Sequence, residues 1–149
     1  MRRPKPRLLP LILYTVDMVK YLGIDYGSKR VGIALSDEAG GIAFPRGELS
    51  NDDRLLQKLN KTIEEERVVQ VVVGDTRASG GLENRVTKKA EAFIKELAKI
   101  SGKIVVPASE LWTSVEVSRY APPGREHDNA AAAAFILQRY LDMHPNRVG

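Results

Sequence analysis

The order of the predicted elements indicates an α/β fold, a mixed five-stranded sheet with helices on both faces. Three short β-rich segments come first, at 19–26, 31–37 and 42–49, and the turn Gly27-Ser28-Lys29-Arg30 predicts that the first two form a hairpin. Two apolar strands, at 68–73 and 103–107, then alternate with helical patterns. Strands separated by helices usually pair in parallel, so we expect three antiparallel opening strands followed by parallel strands.

Apolar periodicity predicts the helices. An apolar residue at every fourth position indicates a helix over 52–66, with Asn51 or Asp52 as its N-cap. Further helices are expected over 82–100 and 128–142.

The strands differ in their expected burial. VVQVVV at 68–73 and KIVVP at 103–107 are almost continuously apolar, which is typical of strands buried on both faces. The third strand contains Pro45, which cannot donate a hydrogen bond to a neighbouring strand. This third strand is therefore expected at an edge of the sheet.

The length of 149 residues favours a single domain, predicted at 18–145. Residues 1–17 are basic and apolar, as in a secretory signal, but Pro10 interrupts the apolar run and no small-residue cleavage motif follows. We interpret 1–17 as a disordered extension and 146–149 as a tail. No apolar run approaches the ~20 residues that cross a bilayer, so no membrane association is expected.

The amino-acid composition limits the kinds of metal site and of partner that the protein can have. The sequence contains no cysteine, which excludes disulfides and thiolate metal sites and favours a cytoplasmic location. The formal net charge is +4, but four basic residues and one acid in 1–17 account for +3 of it. Charge alone is therefore weak evidence for a nucleic-acid partner.

Four carboxylates lie where predicted elements begin or end. Asp25 ends the first strand, Asp75 follows the strand at 68–73, Glu110 follows KIVVP, and Asp128 opens the last helix. Functional groups in such sheets gather at the carboxyl ends of the strands. Carboxylates that converge there repel one another unless cations neutralise them, which predicts a Mg²⁺ or Mn²⁺ site with oxygen ligands.

Each acid also has a structural explanation. Asp128 is a good helix N-cap, Asp75 suits a turn, and Glu110 suits an exposed loop. Asp25 is the hardest to explain in this way, because its neighbours in the strand are apolar.

Several segments resemble the YqgF/RuvX family of Holliday-junction-resolvase-like or pre-16S rRNA nucleases. GIDYGSKRVGIALSD at 23–37 resembles the opening motif of that family, and DNAAAAAFILQRYLD at 128–142 resembles its closing helix. VVVGD at 71–75 and SELWTS at 109–114 extend the resemblance over residues 19–142. It implies a ribonuclease H-like fold.

The resemblance also implies a metal-dependent nuclease that matures the 5′ end of 16S rRNA. By motif position its catalytic metal ligands are Asp25, Glu110 and Asp128, and its cofactor is Mg²⁺ or Mn²⁺. Two such ions about 4 Å apart can activate a water molecule and neutralise the scissile phosphate. The chain departs from the family at Ser109-Glu110-Leu111 and at Asp75-Thr76, and Asp75 is a fourth candidate ligand.

Four basic residues are candidates for phosphate contacts, although solvated loop charge is the alternative for each: Lys29, Arg30, Arg77 and Arg125. The sequence does not separate structured RNA, such as pre-16S rRNA, from branched DNA as the substrate.

Other functions remain as alternatives. They are a resolvase of Holliday junctions and a non-catalytic nucleic-acid-binding module of the same fold, the latter motivated by the two departures. The Asp-x-Gly hairpin also resembles the phosphate-binding motif of actin-like ATPases. Those proteins close two lobes on the nucleotide, and the sequence contains no second Asp-x-Gly hairpin, so we reject this interpretation.

Overall fold

The computed structural model describes residues 19–74, 85–108 and 128–144. The strands are β1 (Lys20–Asp25), β2 (Arg30–Ser36), β3 (Ala43–Ser50), β4 (Val68–Gly74) and β5 (Ile104–Pro107). The helices are α1 (Leu55–Glu65), α2 (Arg85–Ser101) and α3 (Asn129–Met143).

The strands form a mixed five-stranded sheet in the order β3-β2-β1-β4-β5. β1 pairs antiparallel with β2, and β2 pairs antiparallel with β3. β4 lies parallel to both β1 and β5. The predicted sheet is confirmed, including the hairpin and the edge position of the strand that contains Pro45.

Helices cover both faces of the sheet, as predicted. Successive side chains of a strand point to opposite faces, so β1 contributes to two cores. Leu22 and Ile24 pack in the core beneath α1 and α2. Tyr21 packs on the other face against Ile136 and Leu137 of α3. The buried aliphatic side chains contribute about 1.5–3 kcal/mol each to folding and fix the helices on the sheet.

The prediction that β5 is buried on both faces is wrong. The side chain of Ile104 is 64% exposed, and Val105 and Val106 are half-buried against the two cores. β5 pairs with β4, and no strand among the described residues pairs with its other side. A short apolar run thus suits an edge strand that is partly covered by its neighbours. β4 fits the prediction better, although Val69 near its start is 40% exposed.

The predicted start of α1 is also wrong. The helix begins at Leu55 and its N-cap is Arg54, whose side chain makes no capping hydrogen bond. Asp52 Oδ1 accepts a hydrogen bond from the backbone nitrogen of Arg54 at 2.9 Å, which closes a turn before the helix. Asn51 donates from Nδ2 to the carbonyl oxygen of Gly27 at 2.7 Å. The two predicted caps therefore stabilise the approach to the helix.

The remaining predictions divide between described and undescribed residues. The last helix and its N-cap Asp128 are confirmed. The extension predicted at 1–17, the tail at 146–149 and the first residues of the helix predicted at 82–100 lie outside the described residues. Within the described ranges, no helix combines the length and apolarity that a membrane span requires.

Candidate active site at the carboxyl end of β1

The start of α3 lies over the end of β1 because the two elements run in opposite directions. The rings of Tyr21 and Tyr140 lie 6.4 Å apart. A β-carbon built on Gly23 would lie 2.6 Å from Cβ of Leu137. Residues that come later in β1 therefore contact residues that come earlier in α3. The next residue of β1 on this face is Asp25.

Asp25 ends β1 and is fully buried. It shares the face of the sheet with Tyr21 and Gly23, because side chains alternate along a strand. Its register partners are Gly32 on β2 and Gly74 on β4. Two glycines therefore flank Asp25 across the sheet, and without side chains there α3 can approach the strands closely.

Gly32 is the point where the backbone of α3 meets the sheet. A β-carbon on Gly32 would overlap the carbonyl group of Asn129 and lie 2.9 Å from the nitrogen of Ala130. Because Gly32 is the register partner of Asp25, this contact brings the first turn of α3 to the end of β1. Asp128, the residue before Asn129, comes to the same end of the sheet.

Asp128 is the N-cap of α3. Its Oδ1 accepts a hydrogen bond from the backbone nitrogen of Ala131 at 3.0 Å, and the residue is exposed. This bond fixes the direction of the carboxylate, which retains further lone pairs for a cation. Capping therefore does not prevent Asp128 from serving as a metal ligand.

The predicted metal ligands are partly described. Asp25 and Asp128 lie at one end of the sheet, whereas Glu110 and Asp75 lie outside the described residues. Among the described residues, no group of three or more His, Asp or Glu side chains is placed to hold a metal ion. Carboxylate oxygens are the donors that Mg²⁺ and Mn²⁺ prefer. Asp25 and Asp128 thus fit such an ion chemically, as part of a larger ligand set.

Two of the predicted phosphate-binding residues lie beside this end of the sheet. Lys29 is exposed in the turn between β1 and β2, and Arg30 begins β2 with its side chain 69% exposed. The backbone nitrogen of Asn51 donates to the carbonyl oxygen of Lys29 at 2.8 Å and anchors the turn. Arg77 and Arg125 lie outside the described residues.

Sequence reasoning missed two polar residues at this site, Glu48 and Asn129. Glu48 of β3 is the register partner of Gly32, so it lies in the same row across the sheet as Asp25. Its Oε2 accepts a hydrogen bond from Nδ2 of Asn129 at 3.0 Å. The sequence holds only a partial signal for Glu48: Gly47 indicates a β-bulge, because glycine inside a strand often marks one, but it does not say which residue is the extra one.

A separate cleft of 330 Å³ lies between α1 and α2. Its lining includes Tyr26 and Phe93, which belong to the core beneath those helices. The cleft is therefore on the face of the sheet opposite to Asp25, and we do not assign it to the acidic site.

A family model described as RuvX, Holliday junction resolvase, matches residues 19–143. The chain belongs to the RuvX family. This membership confirms the family suggested by the opening and closing motifs, and the match extends from the start of the sheet to the last residue of α3.

Relatives of this RuvX-family protein match over most of its length. Proteins from Oleidesulfovibrio alaskensis and Nitratidesulfovibrio vulgaris are 36% and 35% identical over 138 residues, and both are named as candidate pre-16S rRNA nucleases. The matched region covers 87% of this chain in both cases, and 96% and 97% of the two relatives.

A solved structure supports the fold. RuvC of Thermus thermophilus, determined in complex with a Holliday junction substrate, superposes with a TM-score of 0.53 at 13% identity. The match covers 84% of this chain and 96% of RuvC. The predicted ribonuclease H-like fold of this RuvX-family protein is confirmed.

Proposed function

We propose that this RuvX-family protein is a metal-dependent nuclease that hydrolyses phosphodiester bonds of pre-16S rRNA during maturation of its 5′ end. The observation that carries the proposal is the meeting of Asp25 and the start of α3, which bears Asp128, at one end of the sheet. The relatives named for pre-16S rRNA support this choice of substrate, because this chain covers nearly their whole length.

The acidic residues would hold divalent metal. We assign Asp25, Asp128 and Glu110 as ligands of Mg²⁺ or Mn²⁺, with Asp75 as a fourth candidate. When bound, such ions supply an activated water and neutralise charge on the scissile phosphate. Burial at the end of β1 restrains the carboxylate of Asp25, and the hydrogen bond from Ala131 restrains that of Asp128. Both carboxylates are thereby oriented before substrate arrives.

The basic residues would hold the substrate. Lys29 lies in the turn that follows Asp25 and Arg30 begins β2 directly after it, and Arg77 and Arg125 complete the proposed set. Contacts from such side chains to phosphate oxygens position a nucleic acid without reading its sequence. We expect structured RNA to be recognised by its shape and backbone and not by its base sequence. The absence of cysteine favours the cytoplasm as the site of action.

A cleavage assay tests the proposal. The purified full chain is mixed with end-labelled pre-16S rRNA leader or with a four-way DNA junction, with Mg²⁺ or with EDTA. We expect cleavage of the RNA in Mg²⁺ and none in EDTA. Removing a residue that only contacts a metal ligand typically costs up to about 100-fold in activity. Asp25 is a proposed ligand itself, so Asp25→Asn should reduce the cleavage rate by more than about 100-fold. The control is Glu65→Gln, which changes an exposed acid on α1.

Two results would overturn parts of the proposal. The family model describes Holliday junction resolvases, so faster cleavage of the junction than of the RNA would replace the rRNA substrate with branched DNA. Binding of RNA without cleavage, with Asp25→Asn behaving as the unaltered chain, would favour a non-catalytic binding module.

A further inference from the structure

A β-bulge interrupts the pairing of β2 with β3. Ile33 pairs with Gly47 and Ala34 pairs with Pro45, which leaves Arg46 as an extra residue in β3. Gly47 has a φ of 143°, a backbone conformation that residues other than glycine rarely adopt. Bulges of this kind change the face on which the following side chains lie.

The bulge places Glu48 on the face of Asp25. Pro45 is the register partner of Ala34, which is buried on the α3 face. In a regular strand, Glu48 would lie on the opposite face from Pro45, because the two positions differ by an odd number. With the extra residue, Glu48 instead pairs with Gly32, the register partner of Asp25.

On this face Glu48 has two partners. Oε2 accepts a hydrogen bond from Nδ2 of Asn129 at 3.0 Å, and Oε1 lies 3.5 Å from Nη1 of Arg30. Asn129 is 4% exposed and is the first residue of α3, directly after Asp128. A hydrogen bond from a buried amide to a carboxylate is charge-assisted, so it restrains the helix start firmly.

Glu48 and Asp25 lie on strands that are separated by β2. Both carboxylate oxygens of Glu48 already have partners, Asn129 at Oε2 and Arg30 at Oε1. The effect of Glu48 on the acidic site would therefore pass through the residues that it contacts.

We propose that Glu48 is a positioning residue, which holds Asn129 and thereby sets the Asp128 carboxylate relative to Asp25. This inference rests on the proposed function, because it assumes that Asp25 and Asp128 act on the same metal. Residues that orient metal ligands typically change metal affinity by about 10–100-fold when they are removed. The hydrogen bond to Asn129 gives Glu48 such a role.

Binding of Mn²⁺ to the full chain, measured by calorimetry without nucleic acid, tests the inference. We expect Glu48→Ala and Asn129→Ala each to weaken binding by about tenfold. The double variant should weaken binding by less than the sum of the two single effects, because both changes remove the same hydrogen bond. Glu48→Gln should bind more tightly than Glu48→Ala, since its amide oxygen still accepts from Asn129, although the bond is no longer charge-assisted. Glu65→Gln is the control.

Hydrogen exchange gives a second measurement that needs no metal. The backbone nitrogens of Ala131 and Ala132 donate to Asp128, so their exchange reports the order of the first turn of α3. Both amides should exchange faster in Asn129→Ala and Glu48→Ala, while amides of α1 should be unchanged. Asn129→Ala keeps the test available if Glu48→Ala does not fold.

The outcomes separate the two proposals. If Mn²⁺ binds and Asp25→Asn weakens it, but the Glu48 and Asn129 variants bind and exchange like the unaltered chain, the positioning role is wrong and the proposed function stands. If the unaltered chain neither binds Mn²⁺ nor cleaves RNA in Mg²⁺, the proposed function fails and the inference that rests on it fails as well.

Discussion

The backbone of Gly32 in β2 lies directly against the carbonyl group of Asn129 in α3. Two backbones can meet in this way because Gly32 has no side chain. The contact links the fold to the site, since Gly32 pairs with Asp25 and Asn129 follows Asp128. A change at Gly32 should therefore affect both stability and chemistry.

We predict that Gly32→Ala destabilises the protein. The added methyl group would overlap backbone atoms of Asn129, which move only if the start of α3 lifts from the sheet. Overpacking of this kind costs about 1–3 kcal/mol in the free energy of unfolding, measured by urea denaturation. Gly41→Ala is the matched control, because a β-carbon there has no atom within 4 Å. Equal stability of the two variants would contradict the described packing.

A second prediction separates the two roles of Asp128. Asn caps helices about as well as Asp, so Asp128→Asn should keep the stability of the unaltered chain, whereas Asp128→Ala should lose about 1 kcal/mol. As a proposed metal ligand, however, Asp128 should not be replaceable by Asn in cleavage. In thermal denaturation, we expect Asp128→Asn to be as stable as the unaltered chain. In RNA cleavage, we expect the same variant to be nearly inactive. Full activity of this variant would limit Asp128 to capping.

A third prediction concerns Lys29. If its ammonium group contacts a phosphate, Lys29→Ala should weaken RNA binding at low salt and leave the rate of the bound complex nearly unchanged. The slope of the logarithm of affinity against the logarithm of salt concentration should fall by about 1. Lys61→Ala, which changes an exposed lysine of α1, should alter neither quantity. An unchanged slope for Lys29→Ala would show that Lys29 is a solvated charge.

The sheet and its helices were predictable because each element has a clear local pattern. The turn after Asp25, the apolar run at 68–73 and the periodicity of the helices each have one good structural interpretation. The expectation that Asp25 and Asp128 lie at the same end of the sheet followed from the order of these elements. The burial of β5 did not follow, because an apolar run such as IVVP occurs in edge strands as well as in central ones.

The role of Glu48 could not be predicted, because it depends on the β-bulge in β3, which changes the face of the sheet on which Glu48 lies. Strict alternation from Pro45 places Glu48 on the wrong face, and Gly47 alone does not say where the extra residue lies. The cap of α1 shows a similar limit. Asn51 has a suitable side chain, but tertiary contact with Gly27 uses that side chain in the hairpin turn.

A fourth prediction concerns the dependence of stability on pH through Glu66. The hydrogen bond from Nζ of Lys20, at 2.8 Å, holds the pKa of Glu66 below its ordinary value of 4.5, with further help from Arg46 and against the effect of burial. A lowered pKa in the folded state stabilises the protein above pH 4.5, and this contribution is lost as the pH falls through the lowered pKa. Glu66→Gln should therefore be less stable than the unaltered chain at pH 7 by about 1 kcal/mol, and the difference should shrink on acidification.

Urea denaturation at several pH values measures this difference, with Glu65→Gln as the exposed control. A difference that stays constant down to the lowest pH would show that the ion pairs of Glu66 do not stabilise the fold.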